Sequence, residues 1–174
     1  MATIKTTRKQ QPRESDAARA SSGATPIVIL LVDDDVDCRM LLRDAIADSK
    51  VRNTVYEACN AEEAWRFLRR EPPYASVPRP GLIYLDVEMP GMSGLQLLEK
   101  IKNEPTLRDI PVVMMTGVSD EDQMRAAARA GANSYTIKPA NAEQFLRTVV
   151  QSTNYWLTIH QYPERHLPRE ECRR

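Results

Sequence analysis

Short apolar runs that alternate with stretches of helical periodicity constrain the fold of this chain more than any other feature. Strands are predicted at residues 27–32, 53–58, 82–86, 111–115 and 133–137, and each is followed by apolar side chains at helical spacing. Strands and helices that alternate in this way form a parallel sheet with right-handed crossovers. The expected fold class is therefore α/β, with a five-stranded parallel sheet in a doubly wound (βα)5 arrangement.

The boundaries of the helices carry their own signals. Asn60, Ser119 and Asn141 stand where side-chain oxygens would cap helix N-termini, and Gly131 stands where a left-handed residue would end a helix. Residues 71–81 contain four prolines, which exclude a helix or a central strand. We expect a long loop in that segment.

Polar side chains lie at the ends of four predicted strands. Asp33 and Asp34 follow the first strand and Asp86 closes the third, while Thr116 and Lys138 follow the fourth and fifth. In a parallel sheet these ends point to the same edge, where open α/β sheets bind their ligands. The sequence therefore predicts one site that contains three carboxylates, a hydroxyl and an ammonium group.

The chemistry of these groups indicates phosphoryl transfer at a magnesium site. Three crowded carboxylates repel one another, and Mg²⁺, which prefers oxygen ligands, would compensate that repulsion. A passive Ca²⁺ site could use the same carboxylates, but Lys138 and Thr116 would then have no purpose there. A cation and a hydroxyl donor suit the oxygens of a transferred phosphoryl group. Asp86 then fits as the nucleophile that forms an aspartyl phosphate.

Four strings of sequence together resemble the receiver domain of two-component response regulators. In chain order they are VDDD at 32–35, YLDVEMPGMSG at 84–94, MTG at 115–117 and YTIKP at 135–139. The resemblance covers residues 26–153 and implies a flavodoxin-like sheet with strand order 2-1-3-4-5. It also implies a signalling switch without enzymatic output.

The resemblance implies a role for each residue of the predicted phosphorylation site. Asp86 would be the phosphoacceptor, and Asp33 and Asp34 would be acidic residues of the Mg²⁺ site. The backbone carbonyl of Glu88 would supply the third protein oxygen to the metal. Lys138 would pair with the phosphoryl oxygens.

Two further residues would report phosphorylation to the surface. The resemblance implies that Thr116 hydrogen-bonds a phosphoryl oxygen and that Tyr135 moves between outward and inward positions as Thr116 shifts. Family members of this type usually have a cis peptide bond at the position of Lys138-Pro139.

The partners follow from the subfamily that the chain resembles. The proline-rich loop 71–81 and the ending Tyr155-Trp156-Leu157-Thr158-Ile159 resemble stand-alone receivers that pair with bacterial phytochrome kinases. A sensor histidine kinase, and among these a phytochrome, is therefore the expected phosphoryl donor. Residues 154–174 are too few for a DNA-binding or catalytic domain, so we expect output through a protein contact, a change of oligomer or onward phosphotransfer.

The end of the last predicted helix is the expected site of self-association. Trp156 lies about one turn beyond the helix length that a receiver needs, and with Tyr155 and Ile159 it could form an exposed apolar patch. We expect a homodimer through the C-terminal half, with packing of this segment against the rest of the C-terminal tail of the same chain as the alternative.

Composition limits the remaining possibilities. Lys plus Arg equals Asp plus Glu, 24 against 24, so the chain has no net charge that would draw it to DNA. No segment has the roughly 20 apolar residues of a membrane span, no signal peptide is expected, and the three cysteines form no CxxC pair. A cytoplasmic protein is expected, with a disordered tail at 1–24, a receiver domain with an extended last helix at 25–160, and a C-terminal tail at 161–174.

Two other functions compete with a phosphorylated switch. A receiver-like adaptor that works without phosphorylation would need none of the five predicted site residues, which are Asp33, Asp34, Asp86, Thr116 and Lys138. A flavodoxin-like electron carrier would need a loop that cradles phosphate after the first strand, whereas here that loop is Asp33-Asp34-Asp35, which would repel phosphate.

Overall fold

The computed structural model describes residues 27–47, 53–138 and 141–158. Within these ranges five strands and five helices alternate along the chain. They are β1 (Val28–Val32), α1 (Val36–Ala47), β2 (Thr54–Ala58), α2 (Ala61–Leu68), β3 (Leu82–Asp86), α3 (Gly94–Asn103), β4 (Val112–Thr116), α4 (Glu121–Arg129), β5 (Ser134–Ile137) and α5 (Ala142–Thr158). The predicted alternation is confirmed, and every strand boundary agrees with its prediction to within one residue. The predicted tails at 1–24 and 161–174 and the Lys138-Pro139 bond lie outside the described residues.

The strands form one sheet in the order β2-β1-β3-β4-β5, and all neighbours are parallel. This order confirms the predicted doubly wound, flavodoxin-like fold. Val32 pairs with Leu85, and Asp86 pairs with Met115. The carboxyl ends of the three central strands therefore meet at one edge of the sheet, where the predicted site residues stand.

Two apolar clusters cover the two faces of the sheet because alternate residues of each strand point to opposite sides. One face packs against residues of α2, α3 and α4, and the other packs against α1 and α5. The central strand β3 is buried along its whole length. A strand that is covered on both faces consists of a continuous run of apolar residues. The apolar runs in the sequence were therefore sufficient to locate the strands.

Side-chain caps mark the starts of several helices. Asn60 accepts a hydrogen bond from the Glu63 amide at 2.7 Å, as predicted for the start of α2. The prediction that Ser119 caps α4 is wrong, because Asp120 accepts from the backbone N–H groups of Asp122 and Gln123 instead. A carboxylate one residue nearer to the helix both satisfies these amides and complements the positive N-terminal end of the helix dipole.

The C-terminal part of α5 packs onto the protein's own core. Trp156 is only 6% exposed and belongs to the cluster between the sheet and helices α1 and α5. The prediction of an apolar surface patch that includes Trp156 is therefore wrong, since the indole is buried within one chain. Tyr155 is 50% exposed and stacks edge-on against Trp156, and Ile159 lies outside the described residues.

Hydroxyl groups tie the same helix to the middle of the sheet. The Tyr84 side chain, buried in β3, shares a hydrogen bond of 2.8 Å with the Thr153 hydroxyl and donates one of 3.2 Å to Ser152.

None of the helices in the described ranges is both long and apolar enough to cross a lipid bilayer.

Replacing Trp156 should destabilise the fold far more than replacing its neighbour. We expect Trp156→Ala to lower the free energy of unfolding by about 3–5 kcal/mol because it empties a buried site. Tyr155→Ala, at a half-exposed position of the same helix turn, should cost less than about 1 kcal/mol. Urea denaturation followed by circular dichroism measures both, and equal losses would contradict the burial of Trp156.

Candidate phosphorylation site

Three aspartates meet at the carboxyl edge of the sheet. Asp33 directly follows β1 and Asp86 ends β3, and their side chains are buried, whereas Asp34 is exposed. One carboxylate oxygen from each of the three can be chosen so that all lie within 4.8 Å of one another. A cluster of hard oxygen donors that is open to solvent through Asp34 fits a divalent cation such as Mg²⁺ or Mn²⁺.

Lys138 lies among these carboxylates. Its Nζ atom is 2.7 Å from Asp33 Oδ2 and 2.6 Å from Asp86 Oδ1, so a single ammonium bridges two buried acids. Burial by itself would lower the pKa of the Lys138 amine, but the hydrogen bonds and negative charges of Asp33 and Asp86 outweigh it and raise that pKa. The lysine therefore remains charged throughout the physiological range.

Asp86 holds its negative charge less readily than an ordinary aspartate. Burial raises the pKa of its carboxyl group to about 6, although contact with Lys138 opposes the rise. Oδ2 of Asp86 also accepts a hydrogen bond of 3.1 Å from the backbone N–H of Glu88. The Glu88 side chain itself is exposed, so the loop engages Asp86 through its main chain.

Close packing of α3 fixes the backbone at Asp86. Gly94 begins α3, and a Cβ atom at that position would lie 1.9 Å from the carbonyl oxygen of Asp86. Ser93 and Gln96 form a capping box that holds the helix start in place. Only a residue without a side chain lets α3 begin this close to the strand end.

Thr116 and Tyr135 lie on the neighbouring strands β4 and β5. The Thr116 side chain is fully buried, and its Oγ1 atom accepts a hydrogen bond of 3.2 Å from the Val118 amide. The Tyr135 hydroxyl is buried and makes no hydrogen bond of standard geometry within the described part of the chain. Burial raises the pKa of that phenol, and the nearby Thr116 hydroxyl offsets part of the rise.

Two side chains at this edge were not predicted as part of the site. Burial and a hydrogen bond to Asp33 raise the pKa of the Cys38 thiol to about 12, so this thiol lies against the acidic cluster. Arg39 reaches the backbone oxygen of Asp33. Asp35 caps α1, and residues three and four positions after a cap turn back toward the preceding strand. That spacing is the one sequence signal that could have placed both side chains near the cluster, although it does not specify the hydrogen bonds that they make.

Comparison with known proteins agrees with this geometry. Residues 29–150 match the response regulator receiver domain family. The response regulator Rcp1 of Synechocystis sp. is 32% identical over 132 residues, which are 76% of this chain and 90% of Rcp1.

Two solved structures extend the comparison. The phosphorylated cyanobacterial phytochrome response regulator RcpA superposes with a TM-score of 0.77 at 34% identity, over 80% of this chain and 99% of RcpA. The Mn²⁺-bound form of Rcp1 superposes with a TM-score of 0.75 at 31% identity, over 79% of this chain and 99% of Rcp1.

A methyl group at Gly94 should disturb the site, whereas one at Gly117 should not. Alanine normally stabilises a helix start relative to glycine, but Gly94→Ala would collide with a backbone atom and should cost about 1–3 kcal/mol of unfolding free energy. Gly117→Ala meets no atom within 4 Å and should change it by less than about 0.5 kcal/mol. Denaturant titration of both variants measures the difference. An unchanged or raised stability in Gly94→Ala would contradict the close approach of α3.

Cation binding should weaken in acid because Asp86 must lose a proton to bind metal. With its pKa raised to about 6, Asp86 in the metal-free protein is ionised at pH 7.5 and mostly protonated at pH 5. The affinity for Mn²⁺ should therefore fall about tenfold between these values. Titration calorimetry measures this change. Asp86→Asn should bind more weakly and lose most of the pH dependence, and an unchanged dependence would assign it to another group.

Proposed function

The chain belongs to the response regulator receiver domain family, and we propose that it is a response regulator in which Asp86 accepts a phosphoryl group from a sensor histidine kinase. One observation carries the proposal. Asp86 is a buried carboxylate that contacts a lysine at 2.6 Å and at the same time belongs to a cluster of three carboxylates. A cation on one side and acidic metal ligands on the other are what a phosphorylatable carboxylate needs.

In the proposed reaction an oxygen of Asp86 attacks phosphorus while the bond from phosphorus to the donor's imidazole nitrogen breaks. The new bond is the Asp86 oxygen–phosphorus bond, and the imidazole leaves with the electron pair of the broken bond. The Glu88 amide holds Oδ2 of Asp86, which orients the carboxylate. Asp33, Asp34, Asp86 and the backbone carbonyl of Glu88 would hold Mg²⁺, which when bound supplies charge neutralisation for the phosphoryl oxygens.

Lys138 would stabilise the product without leaving the cluster. An ammonium group has three donors, and here two of them contact Asp33 and Asp86. Lys138 can therefore exchange its contact with Asp86 for a phosphoryl oxygen while it keeps the contact with Asp33. The fixed charge lies where negative charge develops, so little reorganisation is needed during transfer.

The proposed switch consists of Thr116 and Tyr135. The Thr116 hydroxyl, now an acceptor from Val118, can donate to a phosphoryl oxygen. A buried phenol without a hydrogen-bond partner costs about 1–3 kcal/mol. A free-energy difference of this size is enough to change the relative populations of two conformations. Tyr135 has such a phenol within the described residues, so a shift of Thr116 toward the phosphoryl group can change the balance of Tyr135 positions.

The proposed phosphoryl donor is a phytochrome-type histidine kinase, because RcpA is a phytochrome response regulator.

We also propose a homodimer contact on the C-terminal half of the chain. Apolar side chains are exposed there on α4, β5 and α5, at Met124, Ile137 and Tyr155.

Phosphorylation of Asp86 can be tested with a small-molecule donor. Acetyl phosphate and Mg²⁺ should add one phosphoryl group, seen by intact-protein mass spectrometry, to the wild type and not to Asp86→Asn. Asp37→Asn is the matched control because Asp37 is an exposed aspartate of α1. It should be labelled like the wild type, and chelation of the metal should abolish labelling of both.

Other results would reject the proposal. Equal labelling of Asp86→Asn and wild type would assign the phosphate to another residue. No labelling of any form by acetyl phosphate or a kinase would place the protein among adaptors that work without phosphorylation. Light scattering on the labelled samples tests whether phosphorylation changes the oligomer.

A further inference from the structure

Arg39 makes an unusual contact with the backbone of the acidic cluster. It lies in the first half of α1, and its side chain is only 12% exposed. Its Nη1 atom donates a hydrogen bond of 2.5 Å to the carbonyl oxygen of Asp33, and its Nε atom donates one of 3.2 Å to Glu57 on β2. The guanidinium therefore joins the start of α1, the end of β1 and the edge strand β2.

The carbonyl that Arg39 holds belongs to the peptide unit between Asp33 and Asp34. A peptide unit is planar, so fixing its oxygen fixes the direction in which the next residue leaves the chain. The other polar groups of Asp33 are also occupied: its amide by Ala58, Oδ1 by the Asp35 amide at 3.0 Å and Oδ2 by Lys138. Asp34 is exposed, so the position of its carboxylate depends on the direction of the backbone at the Asp33–Asp34 peptide.

The charge of Arg39 is offset close by. Glu57 binds Arg39 through one carboxylate oxygen and Arg43 through the other, each at 3.2 Å. An isolated cation next to the acidic cluster would repel a divalent metal ion, and the Glu57 carboxylate counters that repulsion. Arg43 also pairs with Asp44 at 3.7 Å, so the two arginines face two carboxylates. The arrangement therefore supplies directional hydrogen bonds to Asp33 with little net charge.

We propose that Arg39 is a positioning residue of the divalent-cation site: it fixes the Asp33–Asp34 peptide so that the two carboxylates converge with Asp86. This inference rests on the proposed function for its consequence, because poor convergence would also slow phosphorylation. Its direct test is metal affinity, which does not require phosphoryl transfer.

The experiment compares two arginines that share one partner. Mn²⁺ binding is measured by electron paramagnetic resonance of free Mn²⁺ in wild type, Arg39→Met, Arg39→Lys and Arg43→Met. Arg39→Met should weaken Mn²⁺ binding about tenfold, the usual effect of removing a group that orients metal ligands. Arg43→Met removes the same charge from the Glu57 pair without touching Asp33, and should bind within about twofold of the wild type. Arg39→Lys keeps the positive charge and one donor atom, Nζ, and should recover part of the affinity.

A readout without metal separates positioning from general loss of structure. In the metal-free protein, the amide resonance of Asp34 should shift in Arg39→Met and remain in place in Arg43→Met, while resonances of the distant β5 are unchanged in both. Mn²⁺ affinity in Arg39→Met that equals or exceeds that of Arg43→Met would overturn the inference. An unchanged Asp34 resonance in Arg39→Met would overturn it as well. If wild type binds Mn²⁺ but is never phosphorylated, the proposed function fails while these affinities still decide the role of Arg39.

Discussion

The bridge that Lys138 makes between Asp33 and Asp86 is the interaction on which the site depends. Two buried carboxylates repel each other strongly where little water screens them, and one ammonium at 2.6–2.7 Å from both compensates that repulsion. Because of the strand order, the Lys138 side chain extends across the sheet edge to make these contacts. Lys138 follows the edge strand β5 and reaches past β4 to β3 and β1. One side chain thus joins the carboxyl ends of strands that span most of the sheet.

The neighbouring groups are arranged around that bridge. Thr116 ends β4, the strand that Lys138 crosses, so its hydroxyl lies on the same edge as the two acids. Gly94 lets α3 begin against the Asp86 carbonyl, and Arg39 holds the backbone of Asp33 from the opposite side. The ion pairs of Lys138 lie at the centre of the site, and the backbone contacts of Gly94 and Arg39 lie around them. The same small set of contacts therefore compensates the charges of the two acids and holds the ends of their strands in place.

The sequence was sufficient for the sheet and for the acidic cluster because both follow from local patterns. Apolar runs located the strands, and the residue after each run had to lie at the common edge. Contacts between distant segments were not predictable in this way. Ser119 and Asp120 are both good caps, and only the helix register selects Asp120. Trp156 could face solvent or the core, and the packing of α5 against α1 decides for the core. The bond from Arg39 to Asp33 needs a side-chain conformation that no spacing specifies.

The hydroxyl contacts of Tyr84 have a mechanical consequence for the last helix. Tyr84 precedes Asp86 by two residues on β3, so the two side chains leave the same face of the strand. Its hydroxyl ends on Thr153 and Ser152 of α5. A rotation of α5 that carried both hydroxyls away would leave a buried phenol without a hydrogen-bond partner, at a cost of about 1–3 kcal/mol. These hydrogen bonds therefore tie the rotation of α5 to β3, the strand that ends at Asp86, the proposed phosphoacceptor.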